Sequence, residues 1–154
     1  MFREFFTDGG NIGVDQLDGI CFVVPISQAR LTQTQKYIFD SILAVFGRDV
    51  EKNIYILFTF SDSQKPPALS AINAAGIPFR RSFALNNSAF FVRPDPDDLT
   101  RKFWIMGKSS FHKFFNDFLN TKPVSLSLTK EVLQERKQLE AALQGILPQL
   151  QNGT

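Results

Sequence analysis

The first signal in the sequence is a pair of short, continuous apolar runs. Residues 19–26 read GICFVVPI and residues 53–60 read NIYILFTF, and both runs are rich in β-branched and aromatic side chains. An unbroken apolar run of this length predicts a strand that is buried on both faces, as in a parallel sheet covered by helices. A third strand region is predicted over residues 79–85, with a continuation over residues 89–92 after two asparagines.

Helical patterns follow each of these runs. A capping box at Thr32 starts the first helix, and the prolines at positions 66–67 open a second helix that closes at Gly76. The acidic segment 93–98 starts a third helix, which Gly107 is expected to interrupt. Because strand and helix alternate three times, the chain is predicted to be α/β, with a mainly parallel sheet of about three strands and flanking helices.

A last helix is predicted from Thr129 to about Leu147. Apolar side chains recur along it every seven residues and form an amphipathic stripe: Val132, Leu139 and Ile146. The stripe covers fewer than three heptads, so packing on the chain's own domain is favoured over a coiled coil, and packing on a partner stays open. The predicted organisation is a domain at residues 1–122 and a C-terminal helical extension at residues 123–150.

Composition narrows the class of protein. The chain has 154 residues, 44% hydrophobic and 21% charged, which fits one globular domain. Its seventeen phenylalanines must be buried or held against a partner. A net charge of only +2 argues against a nucleic-acid partner. No run reaches the ~18 to 20 apolar residues that cross a bilayer, and no secretory segment is recognised, so we expect a cytoplasmic protein without a transmembrane segment.

Catalytic and metal-binding residues are not predicted. His112, the only histidine, lies among lysines and serines on a helix face expected to be solvated. Cys21, the only cysteine, lies within the first strand, where a buried apolar role is expected. The acidic residues Asp95, Asp97 and Asp98 lack the glycine turn and distal carboxylate of a cation loop, and they are assigned to a helix N-terminus.

Polar residues follow the second and third predicted strands. In open α/β sheets, ligands bind beyond the carboxyl ends of parallel strands, so Asp62 and the pair Asn86-Asn87 should meet at one edge. A carboxylate there can accept from two adjacent N–H groups of a purine, and an amide can donate to a ring carbonyl. On spacing alone, ordinary turn chemistry is the simpler explanation of these residues.

Residues 22–62 resemble part of a known family, the GTPases of immunity-associated proteins, whose G domain is also described as avirulence-induced-gene type. The resemblance is to the segment that links the third and fourth guanine-nucleotide motifs, and a weaker likeness extends it to about residues 17–89. The matching parts are the apolar strand, Arg30-Leu31-Thr32, Phe46-Gly47 and the Leu57-Phe58-Thr59 that leads to Asp62.

The resemblance implies a role for each residue at the strand ends. Asp62 would accept hydrogen bonds from N1 and N2 of guanine, Thr59 would support the loop, and Phe60 would lie against the base. The run SFALNN is similar to the family's fifth motif, which gives Asn86 and Asn87 contacts to the same base. The implied fold is a three-layer, P-loop-NTPase-like (Rossmann-like) half domain, and the implied cofactor is GTP or GDP.

The sequence departs from the family where phosphate would bind. It contains no Gly-x-x-x-x-Gly-Lys-[Ser/Thr] run and no Asp with a glycine three residues later. These motifs hold the phosphates and Mg²⁺ in the complete domain. We therefore expect the base-recognition half of a GTP-binding protein, with weak or absent binding of GTP or GDP, no hydrolysis, and magnesium only in the complete family domain.

The alternative function is a nucleotide-free interaction module. In the GTPases that the chain resembles, the strand at residues 19–26 pairs with the strand leading into the phosphate loop, and that strand is not found here. An open apolar edge invites pairing with another chain. We expect either Met1–Gly13, a second copy in a homo-oligomer, or another protein to cover the edge, with the Phe-rich and C-terminal helical surfaces as further contacts.

Overall fold

The computed structural model describes residues 15–46, 48–62, 64–91 and 97–151. Strands and helices alternate within them, and two 3-10 turns lie at Arg48–Asn53 and Ser88–Phe91. In chain order the elements are β1 (Gln16–Leu17), β2 (Ile20–Pro25), α1 (Gln33–Leu43), β3 (Ile54–Thr59), α2 (Pro67–Ala74), β4 (Arg81–Ala84), α3 (Asp98–Leu119), β5 (Val124–Ser125) and α4 (Ser127–Gln151).

The main sheet is parallel, in the order β2-β3-β4. Its register places Cys21 beside Tyr55 and Tyr55 beside Arg81. The prediction of an α/β fold with a three-stranded parallel sheet is confirmed, and the arrangement is compatible with a Rossmann-like fold. The third strand is shorter than predicted, because the chain leaves the sheet after Ala84. The predicted continuation over residues 89–92 is wrong for 89–91, which belong to a 3-10 helix at Ser88–Phe91.

One face of the sheet carries the hydrophobic core. Alternate residues of β2 and β3 point to this face and meet side chains from α1, α2 and the start of α4. The rings of Phe22 and Phe39 lie 4.6 Å apart. Ala68 and Ile72 of α2 are fully buried, and Leu126 and Leu133 belong to the same cluster. These contacts hold α1, α2 and the first turns of α4 against one side of the sheet.

The opposite face is covered by α3 through aromatic side chains. Phe114 lies edge-on to Tyr55 at 5.6 Å and to Phe83 at 5.5 Å, and Phe118 lies 6.1 Å from Tyr55. The helix is continuous through Gly107, so the predicted interruption is wrong. A Cβ at Gly107 would lie 3.4 Å from the Asn86 carbonyl oxygen, so the glycine lies where α3 approaches the loop after β4.

The continuous apolar runs predicted two strands buried on both faces, and this holds only for β3. In β2, buried Phe22 and Val24 alternate with exposed Cys21 and Val23. The physical reason is position: the aromatic contacts of α3 on the second face go to β3 and β4, and β2 lies at the far edge of the sheet from β4. Cys21 is therefore exposed rather than a buried apolar residue, and burial of part of its surface raises the pKa of its thiol.

Local signals in the sequence set the ends of the helices. At α1, the Thr32 hydroxyl accepts from the Gln35 amide at 3.2 Å, and the Gln35 side chain accepts from the Thr32 amide at 2.8 Å, which completes the predicted capping box. Gly76, with φ of 68°, ends α2 in the left-handed conformation as predicted. Asp97 caps α3 by accepting from the Thr100 amide at 2.7 Å, and hydrogen bonding to Thr100 lowers the pKa of Asp97.

The last helix, α4, has two parts. Its first turns are held against the core by Leu126, Thr129 and Leu133. Beyond these turns its side chains are exposed as far as residue 146. The predicted stripe is exposed as well, both at Val132 in the first turns and at Leu139 and Ile146 beyond them. A polar contact joins this part of the helix to the end of α1, because Arg136 donates to the Ala44 carbonyl at 2.8 Å. Over the described part of the chain, no helix has the length and apolarity needed to cross a membrane.

Candidate functional site

The loop after β3 leaves the sheet through an unusual backbone conformation. Phe60 has φ of 60° and its side chain is 72% exposed. A bulky residue in the left-handed region costs on the order of 1–3 kcal/mol, and such strain occurs preferentially at functional sites. On either side of Phe60, the Thr59 carbonyl accepts from the Ile26 amide at 2.9 Å, and the Ser61 amide donates to the Leu85 carbonyl at 2.9 Å. The surrounding backbone therefore holds the aromatic side chain of Phe60 out at the carboxyl edge.

Asp62 lies in the same loop and is exposed. Its Oδ1 accepts from the Gln64 amide at 3.0 Å, which is the geometry of an Asx turn. This bond is the turn chemistry that spacing alone predicts. It also fixes the direction of the carboxylate, which a side chain that reads a ligand requires.

The loop after β4 is tied to the loop after β3 by one buried side chain. Asn86 is 8% exposed, and its Nδ2 donates to the Ser61 carbonyl at 2.8 Å. Its Oδ1 accepts from the amide and hydroxyl of Ser88, at 3.0 and 2.6 Å. Asn87 follows directly and is exposed, and its carbonyl accepts from the Phe90 amide at 3.1 Å. The Asn86 side chain thus joins the loop after β4 to the loop after β3.

The structure brings together the two loops that carry all five predicted residues: Thr59, Phe60, Asp62, Asn86 and Asn87. The two asparagines differ in what they can do. Both polar atoms of the Asn86 side chain already have partners within the chain, whereas Asn87 is exposed beside it. Of the five predicted residues, Phe60, Asp62 and Asn87 are therefore the ones whose side chains are exposed to a ligand.

The other sequence candidates lie away from this edge or outside the described residues. His112 is exposed on α3, as predicted. Asp97 and Asp98 form the start of α3, and Asp95 falls outside the described residues, as does Met1–Gly13. Within the described residues, no group of three His, Cys, Asp or Glu side chains is placed to hold a metal ion.

A polar network at the opposite, amino end of the sheet was not predicted. Asp117 of α3 accepts from Arg80 Nε at 2.8 Å, pairs with Arg81 Nε at 3.2 Å and accepts from the Tyr55 hydroxyl at 3.1 Å. The hydrogen bond from Arg80 lowers the pKa of Asp117, and burial raises the pKa of Tyr55. The available signal was a tyrosine inside an apolar strand, since a buried tyrosine hydroxyl needs a partner.

Comparison with known proteins gives no match to a family model and none to a curated protein. The assignment to a family therefore stays a prediction that rests on the residues of this chain.

Proposed function

We propose that this chain supplies the base-recognition part of a guanine-nucleotide-binding domain, like that of the GTPases of immunity-associated proteins. One observation carries the proposal: the hydrogen bond from Asn86 to the Ser61 carbonyl joins the loops that follow two neighbouring parallel strands. This carboxyl edge is where open α/β sheets bind ligands.

The residue types at the edge suit guanine. The Asp62 carboxylate accepts from the adjacent N1–H and N2–H of guanine, a pair of donors that adenine does not offer. The exposed Phe60 ring provides a stacking surface, and stacking of a base on an aromatic side chain is worth roughly 1–3 kcal/mol. Asn87 or a backbone amide beside it donates to the guanine O6. We assign Asn86 the role of holding the two loops together, because its amide is already satisfied.

Affinity for the nucleotide is expected to be low. The sequence has no glycine-rich phosphate loop, and backbone amides and a lysine in such a loop supply much of the binding of a nucleotide's charged tail. The chain should therefore show no GTP turnover above a control without protein, and GTP or GDP should bind only weakly. Magnesium-dependent chemistry is proposed only for a complete domain.

The direct test is an NMR titration with guanosine 5′-monophosphate. We expect saturable shifts of the backbone amides of Ser61, Asp62 and Asn87, and much smaller shifts with adenosine 5′-monophosphate. Asp62→Ala should remove the difference between the two nucleotides. Asp18→Ala is the matched control, because Asp18 is an exposed aspartate that precedes β2 at the opposite end of the sheet. Shifts spread evenly over the surface, or equal for both nucleotides, would contradict the proposal.

A second candidate function, an interaction module, is favoured by the state of β2. The Ile26 amide donates to Thr59, so the backbone groups of alternate residues 21, 23 and 25 point to the other edge. Among the described residues no strand pairs with that edge, and Val23 is 64% exposed. The strand carries no charged residue to discourage pairing. A second copy, or another protein with an extended segment, can add a strand here.

Removing one backbone donor tests this candidate. Val23→Pro deletes an amide that points to the open edge, and proline is tolerated there because no bond to β3 is lost. If the chain associates through this edge, sedimentation should show a dimer for the parent and a monomer for Val23→Pro, while Val23→Ala remains dimeric. A monomeric parent chain, or a dimer that survives Val23→Pro, would exclude self-association through β2.

A further inference from the structure

A pocket of about 260 Å³ lies between the 3-10 turn at Ser88–Phe91 and the first half of α3. It borders the loop after β4 but is bounded by a different set of residues from the carboxyl-edge site. Its walls are Asn86, Ala89, Phe90, Phe103, Trp104, Gly107, Lys108 and Phe111.

The walls of the pocket are mainly aromatic. The rings of Phe90 and Trp104 meet edge to face at 5.4 Å, and Phe90 and Phe111 lie 6.5 Å apart. Gly107 leaves room at the base of the pocket, since it contributes no side chain where α3 approaches the loop. Phe90 and Trp104 remain 56% and 48% exposed, so part of this aromatic surface is available to a ligand.

The described walls of the pocket carry charge of one sign. Among the described residues that line it, Lys108 is the only charged one, and none is a carboxylate. Aromatic rings hold a flat apolar group by stacking and edge-to-face contact, and an ammonium group at the side of the pocket attracts an anion. Ligand pockets for drug-sized molecules occupy roughly 300–1,000 Å³, so this smaller pocket suits a single ring with a short substituent.

We propose that this pocket binds a small aromatic carboxylate, with the ring among Phe90, Trp104 and Phe111 and the carboxylate next to Lys108. The pocket and the proposed guanine site share Asn86, which lines the pocket and whose side chain donates to the Ser61 carbonyl. The proposal does not depend on nucleotide binding, because none of its ligand contacts involves Asp62 or Phe60.

The chain contains a single tryptophan, and it lies in this pocket, so intrinsic fluorescence reports on it directly. The probe is 3-phenylpropionate. Trp104 is excited at the long-wavelength edge of tryptophan absorption, where the phenyl ring of the probe does not absorb. We expect a saturable change in Trp104 emission. The neutral amide of the same acid should bind about two- to fivefold more weakly, as expected for loss of a partly exposed ion pair, and propionate should cause no change.

Three variants decide the assignment. Ala89→Phe fills the pocket and should abolish the change in emission. Lys108→Gln should lower affinity for the acid to that for the amide, while Lys102→Gln, an exposed lysine of α3 outside the pocket, should leave it unchanged. Lys108→Gln alters only a surface side chain, so the test remains valid if Ala89→Phe fails to fold. An unsaturable change, or equal affinity of the parent and Lys108→Gln, would overturn the proposal.

Discussion

Single buried polar side chains connect parts of this chain that are distant in sequence. Asn53 is 3% exposed, and its Nδ2 donates to the carbonyls of Asp18 at 3.0 Å and Lys122 at 2.9 Å. It therefore joins the entry to β2 with the exit from α3. Asn86 does the same at the other end of the sheet by joining two loops. A buried donor lost at such a position leaves carbonyl groups without partners.

Asn53→Ala should lower the free energy of unfolding by about 1–3 kcal/mol, because the buried Asn53 amide no longer donates to two partly buried carbonyls. Urea unfolding followed by circular dichroism measures the change. The control is Asn73→Ala, since Asn73 is exposed on α2 and alanine is the better helix former, so its effect should stay within about 0.5 kcal/mol. Equal effects of the two substitutions would contradict the role given to Asn53.

The ion pairs of Asp117 should make stability depend on pH. Arg80 lowers the pKa of Asp117 in the folded chain. The stability that these ion pairs contribute is therefore fully present above the pKa of Asp117 in the unfolded chain, about 4. It is lost as pH falls through the lower pKa that Asp117 has in the folded chain. Asp117→Asn should be less stable than the parent by about 1.5–3 kcal/mol near pH 7. That difference should shrink as pH falls below about 4.

The control for this prediction is Asp40→Asn. Asp40 pairs with Lys36 at 2.7 Å, but both side chains are about half exposed, so the loss should be under about 1 kcal/mol. Denaturant unfolding at several pH values measures both variants. A gap between the parent and Asp117→Asn that stays constant from neutral to acidic pH would show that the carboxylate does not act through these ion pairs.

At the scale of elements, sequence signals fixed the starts and ends of helices better than the surroundings of strands. The Thr32 capping box and the left-handed Gly76 are local features, so they could be predicted from neighbouring residues. The exposure of Cys21 and Val23 depends on which strands α3 covers, and a single apolar run contains no information about that. The predicted interruption at Gly107 was wrong for the same reason, because this glycine lies at a contact across the fold and does not break its helix.

The packing of β2 against α3 can be tested by substituting alanine for Gly19, with Gly145 of α4 as the comparison. A Cβ at Gly19 would lie 3.0 Å from a ring carbon of Phe118 and 3.2 Å from the Asn53 carbonyl oxygen. Gly19→Ala should therefore destabilise the chain by about 1–3 kcal/mol through overpacking. In Gly145→Ala no atom lies within 4 Å of the new Cβ, so α4 should gain about 0.5–1 kcal/mol from the better helix former.

Thermal unfolding of the two alanine variants shows the sign of each effect. The account predicts a lower midpoint for Gly19→Ala and an equal or higher midpoint for Gly145→Ala. A stabilised Gly19→Ala would mean that the start of β2 is not closely packed against Phe118.

At the scale of the whole molecule, the two ends of the sheet carry different groups of side chains. The amino end carries the network of Asp117, Tyr55 and two arginines, which fastens α3 to the strands. The carboxyl end carries Phe60, Asp62 and Asn87 in exposed loops. The residues at the carboxyl end could be predicted from the sequence, because polar residues directly follow the apolar runs. The sequence did not reveal the amino end, since Tyr55 and Asp117 are 62 positions apart and meet only in the fold.

The most direct measurement compares the affinities of the parent chain and Asp62→Asn for two purine nucleotides. An asparagine there offers one acceptor and one donor, which match the N1–H and the C2 carbonyl of xanthine but not the two donors of guanine. In a calorimetric or NMR titration, the parent chain should prefer guanosine over xanthosine 5′-monophosphate, and Asp62→Asn should reverse that order. Each preference should amount to about tenfold, in line with roughly 1–3 kcal/mol for a matched pair of hydrogen bonds. The same order of affinities in both chains would contradict base recognition by Asp62.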